Sequence, residues 1–176
     1  LAGARDALLD AFGMEPGEEG WRTFMAVASS MAAHVMQISL APVRGQSDFS
    51  DPDGVMRERV ASPSVKTVQL YREGWPQSYP VIRQQGDVPL VLEFDDLSPD
   101  NPGYIYRVVH CNADWTASDL NEMEYLEGYP ENRLPSGQSS FNTYTSYTHH
   151  TLRIPNEETG LKLSGNYLLV VYPEGA

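Results

Sequence analysis

The sequence predicts an all-β fold, an antiparallel β-sandwich, over most of its length. Three observations carry that expectation. From Ser64 onward, apolar residues recur in short runs with a period of two, the spacing of half-buried strands. Turn-forming Gly, Pro, Asn and Asp residues separate those runs, and the chain holds 13 Pro and 14 Gly in 176 residues. Hydrophobic content is 41%, ordinary for a globular domain and enough at this length for one respectable core.

The N-terminal part stands apart. Leu1, Leu8, Leu9 and Phe12 have helical spacing, which stops in the Gly-, Pro- and Glu-rich stretch from Gly13 to Gly20. Arg22 then precedes a mostly apolar, small-residue segment from Phe24 to Ala41. Val43 and Gly45 sit three and one positions before Gln46, which suits signal-peptidase cleavage after Gly45. His34, Gln37 and the acidic pair Glu18-Glu19 depart from that pattern. Residues 1–46 therefore read as a degenerate or mis-started signal peptide, with an ordinary buried or disordered helix as the rival. Residues 47–62 read as a linker and the approach to the first strand. A calcium loop framed on Asp51, Asp53 and Gly54 would need acidic ligands at the positions of Phe49 and Val60, so that stretch reads as a solvated turn.

The strands follow in order. Val65, Thr67, Gln69 and Tyr71 alternate with Lys66, Val68, Leu70 and Arg72, and the run ends at Glu73-Gly74. Tyr79 to Arg83 is a short strand that Pro80 confines to an edge. Gly86-Asp87 turns the chain into the strand from Pro89 to Phe94, and Asp95 to Gly103 is a loop. In the run from Tyr104 to His110, Tyr104, Tyr106 and Val108 face one way and Ile105, Arg107 and Val109 the other. Residues 116–145 form a long, partly irregular loop. Within it, Ser118-Asp119 would cap a short helical turn carrying Leu120, Met123 and Tyr125. Thr148 to Ile154 and Gly165 to Tyr172 close the domain. Six or seven short strands with turns between them suit an immunoglobulin-like or similar sandwich. Val68, Leu70, Leu92, Phe94, Val108, Leu168 and Val170 are expected to be mostly buried. The inward parity of the first and third strands stays open, because both faces carry apolar residues.

Charge narrows the range of partners. The net charge is −12, and residues 47–176 hold nine Lys plus Arg against nineteen Asp plus Glu, which places −10 there. Such a surface repels phosphate backbones and anionic lipid, so neither nucleic acid nor a membrane surface is expected as a partner. A single cysteine, Cys111, excludes an intrachain disulfide and a cysteine-based zinc cluster. No apolar run is long enough to cross a membrane as a helix.

Candidate chemistry is thin. Cys111 would need a histidine and a carboxylate to act as a nucleophile, but His110 is its strand neighbour and points to the opposite face. The expected arrangement is a buried Cys111 beside Trp115, with Asn112 and Asp114 hydrogen-bonded to backbone in a tight turn. At most one of His149 and His150 can share a face with His110, so core or edge histidines are expected there, with no metal and no cofactor. The paired carboxylates Asp95-Asp96 and those between Glu122 and Glu127 have no spacing that implies glycoside hydrolysis. Aromatic residues outside the strands admit packing, a protein interface or a sugar platform: Trp75, Tyr79, Trp115, Tyr125, Tyr129, Tyr144 and Tyr147. Trp115 and Tyr125 are the expected structural anchors. Tyr144 and Tyr147, in a Ser/Thr/Tyr-rich stretch, are the candidate interface.

One series of blocks carries more information than composition does. In order it comprises Val65-Lys-Thr-Val-Gln-Leu-Tyr71, Leu92-Glu-Phe-Asp-Asp-Leu97, Tyr104-Ile-Tyr-Arg-Val-Val-His-Cys-Asn-Ala-Asp-Trp115 and Leu120-Asn-Glu-Met-Glu-Tyr-Leu-Glu-Gly-Tyr129. It continues with Ser139-Ser-Phe-Asn-Thr143, Tyr147-Thr-His-His-Thr-Leu152, Ile154-Pro-Asn156 and Leu163-Ser-Gly-Asn-Tyr-Leu-Leu-Val-Val-Tyr172. From about residue 61 to the end, this series resembles the first domain of the type IX secretion system plug protein. Its expected signature is His110, Cys111, Asp114, Trp115, Tyr125, Gly165, Asn166 and Tyr167, within a plug-like first domain over residues 63–176. The resemblance implies a non-enzymatic periplasmic domain, exported and associated with the outer membrane. Its implied partner is the outer-membrane translocon β-barrel, whose periplasmic opening it would help to close by steric means. The alternative is a carbohydrate-binding β-sandwich module of an exported protein, which a row of coplanar exposed rings would favour.

Overall fold

The computed structural model describes residues 33–40, 55–56, 59–83 and 88–175. The strands are β1 (Ala33–Leu40), β2 (Arg59–Val60), β3 (Val65–Arg72), β4 (Val81–Arg83), β5 (Leu90–Asp96) and β6 (Tyr104–Cys111). They continue as β7 (Leu126–Gly128), β8 (Glu131–Arg133), β9 (Gln138–Ser139), β10 (Thr148–Ile154), β11 (Thr159–Leu161) and β12 (Gly165–Pro173). A short helix, α1 (Glu122–Tyr125), precedes β7. The first sheet runs β2-β1-β12-β6-β8, with β4 also paired to β1, and the second runs β3-β5-β10-β9. A two-stranded ribbon joins β11 to β7. Pairing is antiparallel except where β1 lies parallel to β12 and β2. The expected antiparallel sandwich is the architecture observed.

The main core lies between the sheets. Leu90, Leu92 and Phe94 of β5 and Leu152 and Ile154 of β10 meet Tyr104, Tyr106 and Val108 of β6 and Tyr167, Leu169 and Val171 of β12. Alternate residues point to one face of a strand, which is why these positions step by two. The first sheet also has a covered outer face. There Val109 and Cys111 join Leu168 and Val170 beneath Met56 and Trp115. Two covered faces explain why β12 reads as an almost unbroken apolar run, the mark of a strand buried on both sides.

Of the residues expected in the core, Leu92, Phe94, Val108, Leu168 and Val170 are buried, while Val68 and Leu70 are only partly so. The reason lies in β3. Val65 pairs with Asp96 and Lys66 with Asp95, but the register then shifts before Gln69 meets Glu93. Thr67 sits in this bulge at φ 51°. The extra residue reverses the parity, so Val65 faces inward and Val68 and Leu70 also turn toward the main core. A simple alternation across the whole strand does not survive the bulge.

The stretch 116–145 is more ordered than an irregular loop. It contains α1, β7, β8 and β9. The helix cap is Asn121, not Ser118 or Asp119: its side chain accepts from the Met123 amide, and Glu124 reaches back to the Asn121 amide. Ser118 is engaged elsewhere, by the His110 ring.

Upstream, Ala33–Leu40 is a strand, within a segment the sequence suggested as leader or helix. A short apolar run cannot be told from a helix by periodicity alone. Met56, in the stretch read as linker, is buried, and its amide donates to the Trp115 carbonyl at 2.8 Å. The helix suggested for Leu1 to Phe12, the cleavage position after Gly45 and the Asp51–Gly54 turn lie outside the described residues.

Candidate functional site

The eight residues expected as a signature gather where β6 and β12 run side by side, but they divide between the two faces of the sheet. His110 pairs in register with Tyr167, and Cys111 with Asn166. On the inner face the His110 ring lies 5.6 Å from Tyr125 and 5.1 Å from Tyr167, and its Nδ1 is 2.9 Å from the Ser118 hydroxyl. The Tyr125 hydroxyl donates to the Val108 carbonyl, and that of Tyr167 donates to the Leu163 carbonyl at 2.6 Å. Gly165 lies directly against the His110 ring. Together these contacts fasten the start of β12 and the α1 segment to the end of β6.

On the outer face, Cys111 and Trp115 are buried. The chain folds back after Cys111: the Asn112 amide donates to the Thr116 carbonyl, and the Trp115 amide donates to the Asn112 carbonyl. Asp114 accepts from both the amide and the hydroxyl of Thr116. Trp115 takes φ 65° at the turn. Asn166 crosses over to donate to the Asn112 carbonyl at 3.1 Å. This is a folded corner, and its polar groups are directed at one another.

The chemistry of that corner is inert. Cys111 is 1% exposed, and its thiol lies 3.5 Å from the Met56 sulfur and 3.7 Å from the Val109 carbonyl. Burial pushes the thiol's pKa up to about 12, which keeps it protonated and non-nucleophilic. His110 lies on the other face, and both remaining candidate histidines belong to the second sheet. His150 is buried against Phe94, with the rings 4.9 Å apart. His149 faces the opposite way, where its Nδ1 lies 2.7 Å from Asp95. Among the described residues no group of three or more His, Cys, Asp or Glu side chains could hold a metal ion.

The neighbouring carboxylates separate in the same way. Asp96 is fully buried, accepting from the amide and hydroxyl of Ser98 and from the Tyr104 hydroxyl. Burial alone would raise its pKa, but these donors outweigh burial and hold it below the usual value. Asp95 is on the exposed face with Thr67 and His149. Adjacent strand residues cannot converge on one substrate, so Asp95 and Asp96 are two separate structural devices.

Exposed aromatic residues are the remaining candidates. Tyr144 is 108% exposed and Tyr147 36%, and between Ser139 and Tyr147 the structure adds Phe141, which is 94% exposed. Its sequence signal was a large apolar ring between Ser and Asn residues, outside any alternating run. Trp75 and Tyr129 are also exposed, but elsewhere. Tyr147 leads into Thr148, which pairs with Asp96 at the start of β10. Ile154, at the other end of β10, pairs with Leu90, which in turn pairs with Arg72. Trp75 follows closely after Arg72, and the Tyr129 amide meets the Glu158 carbonyl just beyond Ile154. The seven residues of β10 separate the two groups by about 20 Å, so they do not form one row of rings.

Comparison with known proteins adds the following. Residues 65–176 match the family model described as "Type 9 secretion system plug protein 1st domain". No curated protein matches the chain. A crystal structure of a hypothetical protein from Parabacteroides merdae is similar, with a TM-score of 0.58 and 35% identity. That match covers 64% of this chain and 28% of the other, so this chain spans less than a third of the protein it resembles.

Proposed function

The chain belongs to the type 9 secretion system plug protein first-domain family, and from that premise we propose that it is a non-enzymatic periplasmic domain that docks on the outer-membrane translocon β-barrel. There it helps to close the pore when no substrate is in transit. The observation that carries this reading is the family match over residues 65–176, which spans the main strands of the sandwich from β3 to β12. A steric plug needs rigidity more than chemistry. Two cores, one on each face of the first sheet, and a 116–145 excursion pinned by short strands are consistent with that requirement. A plug-like unit over residues 63–176 belongs to the same proposal. A leader cut after Gly45 would remove β1 from its place beside β12, and N-terminal sequencing of the mature protein tests that cut.

Copurification from native outer membranes, combined with antibiotic uptake in a deletion strain, tests the function. Translocon in the purified complex and a leaky envelope without the protein are the expected results. Normal permeability and no translocon in the complex would sink the proposal and promote the sugar-binding module. The separation of Trp75 and Tyr129 from Tyr144 by the length of β10 already weighs against a single sugar platform.

A further inference from the structure

The loop from Ser140 to Tyr147 is built in an unusual way for a solvated connection. Phe141 and Tyr144 are 94% and 108% exposed, so neither ring is covered by the sandwich. Loops normally keep such rings out of water by folding them back, as Trp115 and Tyr125 are folded back here. Yet this loop is not slack. The Ser140 amide donates to the Tyr147 carbonyl at 2.8 Å, and the Tyr147 amide donates to the Ser140 hydroxyl at 3.0 Å. The Thr143 hydroxyl is 3.0 Å from that of Ser140 and donates to the Thr145 carbonyl at 2.9 Å. Asn142 takes φ 57°, which turns the chain between the two rings. Both stems are fixed, because Ser139 and Gln138 of β9 pair with Thr148 and His149 of β10.

The composition is equally pointed. From Leu134 to Thr148 there is no Asp, Glu, Lys or Arg, in a chain whose net charge is −12. Depletion of charge with enrichment in Tyr and Phe marks the centre of protein–protein interfaces. Aromatic anchors set among Ser, Thr, Asn and Gly also make up antibody paratopes, where rigid rings supply contact area at low entropic cost. A loop already tied at its base loses little further freedom on docking.

We propose that residues 140–147 form a preshaped recognition loop that inserts Phe141 and Tyr144 into an uncharged, concave surface of a folded protein partner. The occupant is a protein because the loop carries no cation to hold a phosphate backbone or an anionic headgroup. Trp75 and Tyr129, the exposed rings outside this loop, lie at the other end of β10 and do not extend it into a sugar platform. Identifying that partner with the translocon rests on the function proposed above, whereas the recognition role of the loop does not.

The test uses the full-length protein in its native cells. Phe141→Ser with Tyr144→Ser is compared with Trp75→Ser at the other end of the sandwich, each first checked for an unchanged melting temperature. The expected result is an at least roughly tenfold loss of copurified translocon for the loop variant and none for the Trp75 variant. Retention should also change little between roughly 0.1 and 0.5 M salt, because no charge lies in the loop. A folded loop variant that retains the translocon as well as wild type overturns the recognition loop and leaves the translocon reading intact. Wild-type protein that retains no translocon overturns that reading instead. The purified protein is then offered to neutral phospholipid vesicles and to peptidoglycan fragments. Binding of either that depends on Phe141 and Tyr144 reassigns the loop to lipid or sugar and overturns a protein occupant. Loss of binding from both variants alike also overturns it.

Discussion

Gly165 and His110 occupy one site between them: a Cβ built on Gly165 would lie 2.3 Å from the His110 Nε2. No side-chain carbon tolerates that approach, so the glycine is required by the ring opposite it. The same ring touches Tyr125 and Tyr167, which leaves it little room to retreat. Gly165→Val should therefore reduce unfolding free energy by about 1–3 kcal/mol. Combining it with His110→Ala should recover part of the loss, because the clash disappears with the ring. Denaturant unfolding of both single variants and the double variant measures this coupling. Strict additivity would show that the ring is not what excludes a side chain at this position.

Cys111 should resist alkylation in the native protein and react rapidly once denatured. Its thiol is buried beneath Met56 and Trp115, and burial keeps it protonated at neutral pH. Native labelling at a rate near that of the unfolded chain would mean that the outer core opens readily.

Acid should weaken the fold through His150. Neither of its ring nitrogens has a hydrogen-bond partner among the described residues, and burial holds its pKa below the ordinary 6.5. Nearby Asp96 and Asp95 pull the pKa upward and His149 pulls it downward, without reversing the net direction. Between the lowered folded pKa and the unfolded one, the unfolded chain binds the proton and the folded chain does not. Stability from this source is therefore constant above about pH 6.5 and falls as pH drops below it. Burial lowers the His110 pKa as well, which adds a change of the same sign. Replacing His150 with Leu should shrink the stability difference between about pH 7.5 and about pH 5, whatever it does to packing at neutral pH. An undiminished difference would place the acid sensitivity elsewhere.

Asp96 should show a dependence of the same sign at lower pH. Its folded pKa is lowered, so the stability it contributes is present above the unfolded value of about 3.9 and is lost as pH falls through the folded value. Tyr104→Phe removes one of its donors, at 3.0 Å, but keeps the ring against Phe94. The expected cost is about 1–2 kcal/mol at neutral pH, with a smaller difference in strong acid. Thermal or denaturant unfolding across that range measures it, and a neutral-pH cost near zero would assign the anchoring of Asp96 to Ser98 and Ser64.

The strands β3, β4, β5, β6, β10 and β12, their turns and the family blocks were legible because each depends on residues close together in the sequence, whereas β7, β8, β9 and β11 were not. Alternation marks a strand, a Gly or Pro cluster marks its end, and neighbouring side chains such as His110 and Cys111 must diverge to opposite faces. The sequence alone thus determined an all-β domain of this family and separated Cys111 from its adjacent histidine. The tertiary structure decided what depends on partners distant in sequence. A bulge at Thr67 reversed the parity of β3, which no local pattern announces. A second core made β12 buried on both faces, and Asn121 became the helix cap while Ser118 bonded His110. Pairing with β12 made Ala33–Leu40 a strand, where an apolar run alone was compatible with a helix. Trp115 and Phe141 are both large rings in irregular stretches, yet one is enclosed and the other stands in solvent. The difference arises because Met56 and the outer face of the first sheet enclose Trp115, and nothing in the sandwich covers Phe141. Burial is a property of what arrives from elsewhere in the chain, so only the folded molecule could distinguish the two.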